Sequence, residues 1–249
     1  MGIAVVTGAS SGLGRELAAR LNARGHEVVL VARTAGALES LAGELTGSRV
    51  ITADLSRPEG IAAVTGVVPE VDVLVNSAGF GDCGPFVAAD QARAREMIDL
   101  NCGALTELTG AYLGGMVARH AGQILNVAST AAFQAGPEMA VYYATKAYVL
   151  SFSEAIAEEV RGTGVTVTAF CPGAFSSGFG AAAHAEETRL FKGRSLPTSA
   201  EMAEAALQAL DRGRVVAIPG AANKIGAFMP RLTPRPVLRR AVHYVQRVD

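Results

Sequence analysis

The chain has 249 residues, half of them apolar and 18% charged, which excludes global disorder and supplies enough apolar side chain for a large core. Its net charge of -1 gives no case for nucleic-acid binding, although the charge is uneven: eight Lys/Arg against two Asp from Asp211 onward, +6, leave about -7 for the rest. Cys83, Cys102 and Cys171 lie far apart without clustered histidines, which argues against a disulfide framework or any metal site.

In chain order, the first predicted strand is Ile3–Thr7. No basic stretch and long apolar run precede it, so no signal peptide is expected. A helix over Leu13–Arg24 follows, with Gly25 as its C′ residue. Then come a strand at Val28–Ala32, a helix at Thr34–Leu45, and strands at Arg49–Thr52 and Val71–Asn76. Ala92–Arg119 reads as one long helix or two joined ones, followed by a strand at Gln123–Ala128. In the helix Tyr142–Arg161, the residues Tyr148, Phe152, Ile156 and Val160 are four apart, as in a core-facing stripe. Strands at Val165–Phe170 and Val215–Ile218 complete the pattern.

Several strands are continuously apolar, as strands buried on both faces are. Their alternation with helices predicts an α/β fold, a parallel sheet with helices on both sides. No linker divides the chain, so residues 1–249 read as a single domain. Within it, 174–199 reads as a substrate loop and 220–249 as a basic C-terminal extension. No apolar run is long enough to span a membrane, and reduced cysteines point to the cytoplasm.

Thr7-Gly8-Ala9-Ser10-Ser11-Gly12-Leu13-Gly14 joins the first strand to the first helix. Glycines let backbone approach a ligand, and the helix start favours an anion such as pyrophosphate. Candidate cofactor contacts there are Gly8, Ser10, Ser11, Gly12, Leu13 and Gly14. An NAD site carries an acid about 20 residues past the loop. Here the second strand ends in Ala32-Arg33, whose guanidinium suits a 2′-phosphate. NADP(H) is therefore expected over NAD(H).

Tyr142 and Lys146 are four apart on a helix and share a face. Ser129 stands at the end of an apolar strand, on the edge where α/β sheets hold ligands. These residues, with Thr7-Gly8-x-x-x-Gly12-x-Gly14, Asp54, Asn76-Ser77-Ala78-Gly79, Asn101 and Pro172-Gly173, resemble the classical short-chain dehydrogenases/reductases over most of the chain.

The resemblance implies a Rossmann-type doubly wound sheet with strand order 3-2-1-4-5-6-7. It implies an oxidoreductase acting on a carbonyl or alcohol. Ser129, Tyr142, Lys146 and Asn101 would be its catalytic residues, with Asn101 holding a water in a proton relay. Lys146 would also bind the nicotinamide ribose and draw the Tyr142 phenol toward working pH. Asp54, Leu55, Asn76, Ala78, Gly79, Pro172, Gly173 and Phe175 would contact the cofactor, along with Tyr142 and Lys146. Ser177 or Ser176 would replace the family's threonine after Pro172-Gly173, and the residues leave that choice open.

Tyr143, three from Lys146, is expected to have a structural or pocket-lining role. A homodimer or homotetramer is implied, pairing through the long helices. A non-catalytic dinucleotide sensor on the same fold is the alternative, which the intact proton donor disfavours. The Ala/Gly/Ser-rich loop and apolar tail hint at a lipophilic substrate. The tail reads as packed on the domain with its arginines in water, against contact with an anionic membrane surface.

Overall fold

The structure is a computed structural model that describes residues 2–185, 188 and 196–246. Seven parallel strands form one sheet in the order β3-β2-β1-β4-β5-β6-β7. They are β1 (Ile3–Thr7), β2 (Glu27–Ala32), β3 (Arg49–Thr52), β4 (Val73–Asn76), β5 (Gly122–Val127), β6 (Val165–Phe170) and β7 (Val216–Ala217). In register, Val5 lies between Val29 and Leu74, and Leu74 faces Ile124. Every connection must cross back over the sheet, which places helices on both faces.

Alternation along β1 divides the core. Ala4 and Val6 pack with Leu13, Leu17 and Leu21 of α1 (Gly12–Ala23) and with Leu207 and Leu210 of α8 (Ser199–Asp211). Val5 points the other way, among Leu108, Tyr112 and Met116 of α5 (Leu105–Ala118). The remaining helices are α2 (Ala35–Glu44), α3 (Pro58–Thr65), α4 (Gln91–Ile98), α6 (Ala140–Glu159), α7 (Phe179–Ala182), α9 (Ala221–Phe228) and α10 (Arg235–Gln246).

Three features that the sequence left open or missed have physical causes. The expected 92–119 helix is α4 and α5 joined through a π-helical segment, Asp99–Ala104, whose wider turn carries Asn101. The sequence reading names no helix at 58–65 or 199–211. Pro58 starts the first, and a Thr198–Glu201 capping box starts the second.

The third concerns α6. Its buried side is Tyr143, Thr145, Lys146, Val149, Leu150 and Ser153. One member of the expected stripe lies off the core: Tyr148 is 42% exposed and stacks on Phe152 at 5.8 Å, whereas Val160 is buried and Phe152 and Ile156 pack against the core. Four-residue spacing identifies a shared face but not which face meets the sheet.

Thr7 ties the loop edge together. Its buried hydroxyl donates to Val75 O (3.1 Å) and accepts from the backbone N–H groups of Ser77 and Ala78 (both 3.0 Å). Thr7→Val keeps the shape and orphans two buried donors. It should lower unfolding free energy by about 2 kcal/mol, read as a lower urea midpoint at unchanged slope; an unchanged midpoint counts against this role.

Candidate active site

The carboxyl ends of β1, β2, β4, β5 and β6 open into one cavity of about 670 Å³. Its wall carries Gly8, Ser10, Ser11, Gly12, Leu13, Gly14, Arg33, Asp54, Leu55, Ala78, Gly79, Ser129, Tyr142, Lys146, Pro172, Gly173 and Phe175. These are nearly all the candidates named from sequence. Ser177 stands on the wall, whereas Ser176 turns away to bond Pro197 and Ser199 through its backbone. Of the expected substrate loop, Ala174, Phe175, Ser177, Gly178, Phe179 and Ala182 line the cavity. Residues 186, 187 and 189–195 of that loop lie outside the described residues.

The dinucleotide end fits pyrophosphate on structural grounds. Gly8 has φ +69°, and a Cβ at Gly14 would lie 2.3 Å from Gly8 O, so this tight turn admits no side chain there. The Ser11 side chain does not cap α1. The first-turn N–H groups of α1 are thus left for an anion. Arg33 pairs with Glu96 at 2.6 Å on an exposed surface. Such a pair is worth at most about 1 kcal/mol, so a phosphate dianion can displace it.

Asp54 serves its own turn, accepting from Ser56 N (3.1 Å) and Ser56 Oγ (2.7 Å). Burial pushes the Asp54 carboxyl up, but the Ser56 hydrogen bonds and the charges of Arg33 and Arg57 prevail and hold it below its ordinary value.

Two candidates stand behind the wall. Asn76 is buried and donates to Asn126 Oδ1 (2.9 Å) and Thr109 Oγ1 (3.3 Å). Asn101 is 2% exposed. Its Oδ1 accepts from Phe80 N (3.1 Å), and its Nδ2 donates to Phe80 O and Thr145 Oγ1 (both 3.0 Å). Thr145 Oγ1 in turn donates to Tyr142 O at 2.8 Å. Asn101 thereby braces the turn of α6 that carries Tyr142.

The chemistry-bearing end is built from β5 and α6. Ser129 follows β5, accepts from Ala131 N (3.1 Å) and donates to Pro172 O (3.5 Å), and its hydroxyl lies close enough to Tyr142 to favour the ionised phenol. Lys146 Nζ lies 5.8 Å from the Tyr142 ring centroid and donates to Val127 O at 2.7 Å. Burial pulls the ammonium down to about 8. Cys102 and Cys171 are pushed up by burial to about 11 and about 12, so neither thiol is its counter-ion at neutral pH.

Sequence reasoning expects Lys146 to acidify Tyr142. In the structure, burial dominates and pushes the phenol up, the Ser129 hydroxyl opposes it, and Tyr143 adds to the rise. A site this dry disfavours tyrosinate more than one offset ammonium favours it.

The far end of the cavity is lined by Phe179 of the expected loop together with residues not assigned to a site from sequence: Met139 and, from α10, Ala241, Val242, Val245 and Gln246. Phe179 sits 5.1 Å from Tyr142, ring to ring. Tyr143 lines the wall as expected, and its hydroxyl accepts from the Gln246 amide. The signal for α10 was the spacing of Leu238, Val242 and Val245, one face of a helix beginning at its prolines. The tail does pack on the body, but over the cavity.

The family described as short chain dehydrogenase matches residues 2–188. A very-long-chain 3-oxoacyl-CoA reductase of Coprinopsis cinerea is 37% identical over 66% of this chain; the match spans only 52% of that relative. An NADP-dependent 3-hydroxy acid dehydrogenase of Salmonella typhi is 38% identical over 69% of this chain and 71% of its own. A solved short-chain dehydrogenase from Sphingobium yanoikuyae in complex with NADPH superposes with a TM-score of 0.84. It is 32% identical and covers 100% of this chain and 99% of its own.

The buried ammonium has a pH signature. Between about 8 and the ordinary 10.5, the folded chain binds fewer protons than the unfolded one. Stability therefore rises with pH across that window, and below it the burial penalty is complete. The expected outcome is a urea midpoint that climbs from pH 8 toward 10.5 in the parent and lacks this climb in Lys146→Met. The variant should also be more stable at neutral pH by about 1–3 kcal/mol. Parallel profiles for the two proteins would show that Lys146 is not destabilised by burial.

Proposed function

We propose that this chain, which belongs to the short-chain dehydrogenase family, moves a hydride between NADP(H) and a carbonyl or alcohol substrate, with Tyr142 as general acid and base. The observation that carries this reading is the meeting of Ser129, Tyr142 and Lys146 on one wall of a cavity whose other end holds the Gly8–Gly14 turn and Arg33. The NADP-dependent relative and the NADPH complex of the solved neighbour support the cofactor choice. NADPH, when bound, supplies the hydride to the carbonyl carbon.

The protein's own groups handle the proton and the charge. Ser129 Oγ orients the substrate oxygen, and Tyr142 Oη donates its proton as that oxygen gains charge. A phenol pushed up by burial stays protonated at neutral pH, which suits it to donate and favours reduction. Lys146, beside that ring, stabilises the tyrosinate left behind. With its Nδ2 bonded to Phe80 O and Thr145, Asn101 acts here as a positioning residue that holds the α6 turn; its Oδ1 keeps one lone pair for a relay water.

The apolar end formed by Met139, Phe179, Val242 and Val245 suits a lipophilic carbonyl compound, and the 174–199 segment is its substrate loop. Pairing of copies through the long helices belongs to the same reading, supported by the stacked Tyr148 and Phe152 on the surface of α6.

Tyr142→Phe should lower kcat by roughly 100- to 10,000-fold on a ketone panel while NADPH binding, followed by fluorescence titration, stays within a few-fold. Near-parental turnover would end the assignment. Arg33→Ala should cut the NADPH-over-NADH ratio of kcat/KM by about 10- to 100-fold, the worth of a charge-assisted contact. An unchanged ratio would place cofactor choice elsewhere.

A further inference from the structure

No helix among the described residues is long and apolar enough to cross a membrane. The α9–α10 segment nevertheless carries a surface unlike that of described residues 2–185. Across residues 2–185 every arginine but Arg119 forms an ion pair. Arg119 donates to Val71 O instead. From 212 to 248 the sequence contains no acidic residue. Among the described residues Lys224, Arg235, Arg239 and Arg240 are exposed and join no ion pair.

Apolar side chains stand exposed between them. Ile225, Phe228, Met229 and Leu232 recur at helical spacing, and Leu232 is 67% exposed. Val237 continues the patch onto α10. Arg231 lies over the Phe228 ring at 6.0 Å. Single exposed apolar residues are ordinary, but a cluster of them marks a contact surface.

We infer that this surface docks on an anionic lipid bilayer, with Ile225, Phe228 and Leu232 entering the interface and Lys224, Arg235, Arg239 and Arg240 meeting headgroup phosphates. Both features are needed at one depth: apolar groups beside unpaired cations. A second copy using the same face would set like charges opposite each other. An acidic protein surface would answer the cations but not the apolar side chains. The C-terminal half of α10 contributes Val242 and Val245 to the cavity, so docking through its N-terminal half brings the cavity within about two helix turns, ~10 Å, of the bilayer. The inference does not depend on the proposed hydride chemistry.

The test is co-sedimentation of the full chain with phosphatidylcholine vesicles and with mixed phosphatidylcholine–phosphatidylserine vesicles. Binding is expected to the mixed vesicles, weakened by salt, with little to the neutral ones. Each cation near an anionic surface contributes roughly fivefold in partitioning, so Arg235→Glu/Arg239→Glu/Arg240→Glu should lose on the order of 100-fold or more. Phe228→Ser/Leu232→Ser should also weaken binding while leaving the cations in place. None of these residues lines the cavity, so a parental circular-dichroism spectrum and urea midpoint of the variants serve as the folding control. Equal retention on both vesicle types, no retention on either, or unaltered binding by the charge-reversed variant overturns the inference. So does sedimentation velocity showing a dimer that the same substitutions abolish without any lipid binding.

Discussion

A lysine ammonium taken out of water organises this site. Lys146 is buried on the inner face of α6, and the fixed protein partner for its Nζ is one backbone carbonyl, Val127 O at 2.7 Å. An ammonium has three donors, and a buried charge is costly unless paired. The neighbouring thiols stay neutral and offer no anion. The chain thus keeps a cation whose electrostatic needs are only partly met, on a wall shared with Tyr142 and Ser129. In the proposed reaction, that deficit is what a ribose hydroxyl or a developing tyrosinate would relieve.

The surrounding polar groups hold that arrangement in place. The π-helical turn between α4 and α5 aims Asn101 at the Phe80 backbone and at Thr145, and Thr145 reaches back to Tyr142 O. A second buried chain runs Asn76–Asn126–Ser153 and fixes β4, β5 and α6 relative to one another. Thr7 does the same for β1 and the loop after β4. Thr7 and Asn101 satisfy backbone groups just past the carboxyl edge of β4, whereas the Asn76–Asn126–Ser153 chain joins side chain to side chain. The same edge opens into the cavity, so bracing and binding occupy adjacent positions.

The C-terminal segment joins two environments. The inner side of α10 closes the apolar end of the cavity, with Gln246 bonded to Tyr143 and His243 to Glu138 at 3.0 Å. The N-terminal part of α10, with α9, leaves cations and apolar groups in water. A change in this helix is therefore positioned to alter both what the cavity admits and what the surface meets.

Local chemistry determined much of this in advance. Continuously apolar strands set the sheet, and the glycine loop, Arg33, Ser129 and the Tyr142–Lys146 pair carry their meaning in residue type and spacing. Tertiary packing decided the rest. Which face of α6 turns inward depends on the sheet it meets, so Tyr148 lies outside although its spacing matched a core stripe. Ser177 rather than Ser176 reaches the cavity because the backbone of Ser176 is tied to Pro197 and Ser199. The Tyr142 phenol rises rather than falls because burial is a property of the assembled wall, to which distant segments contribute. Ala241, Val242, Val245 and Gln246 join the cavity wall for the same reason: contact between the chain's end and its middle is set by folding in three dimensions, and no short-range pattern encodes it.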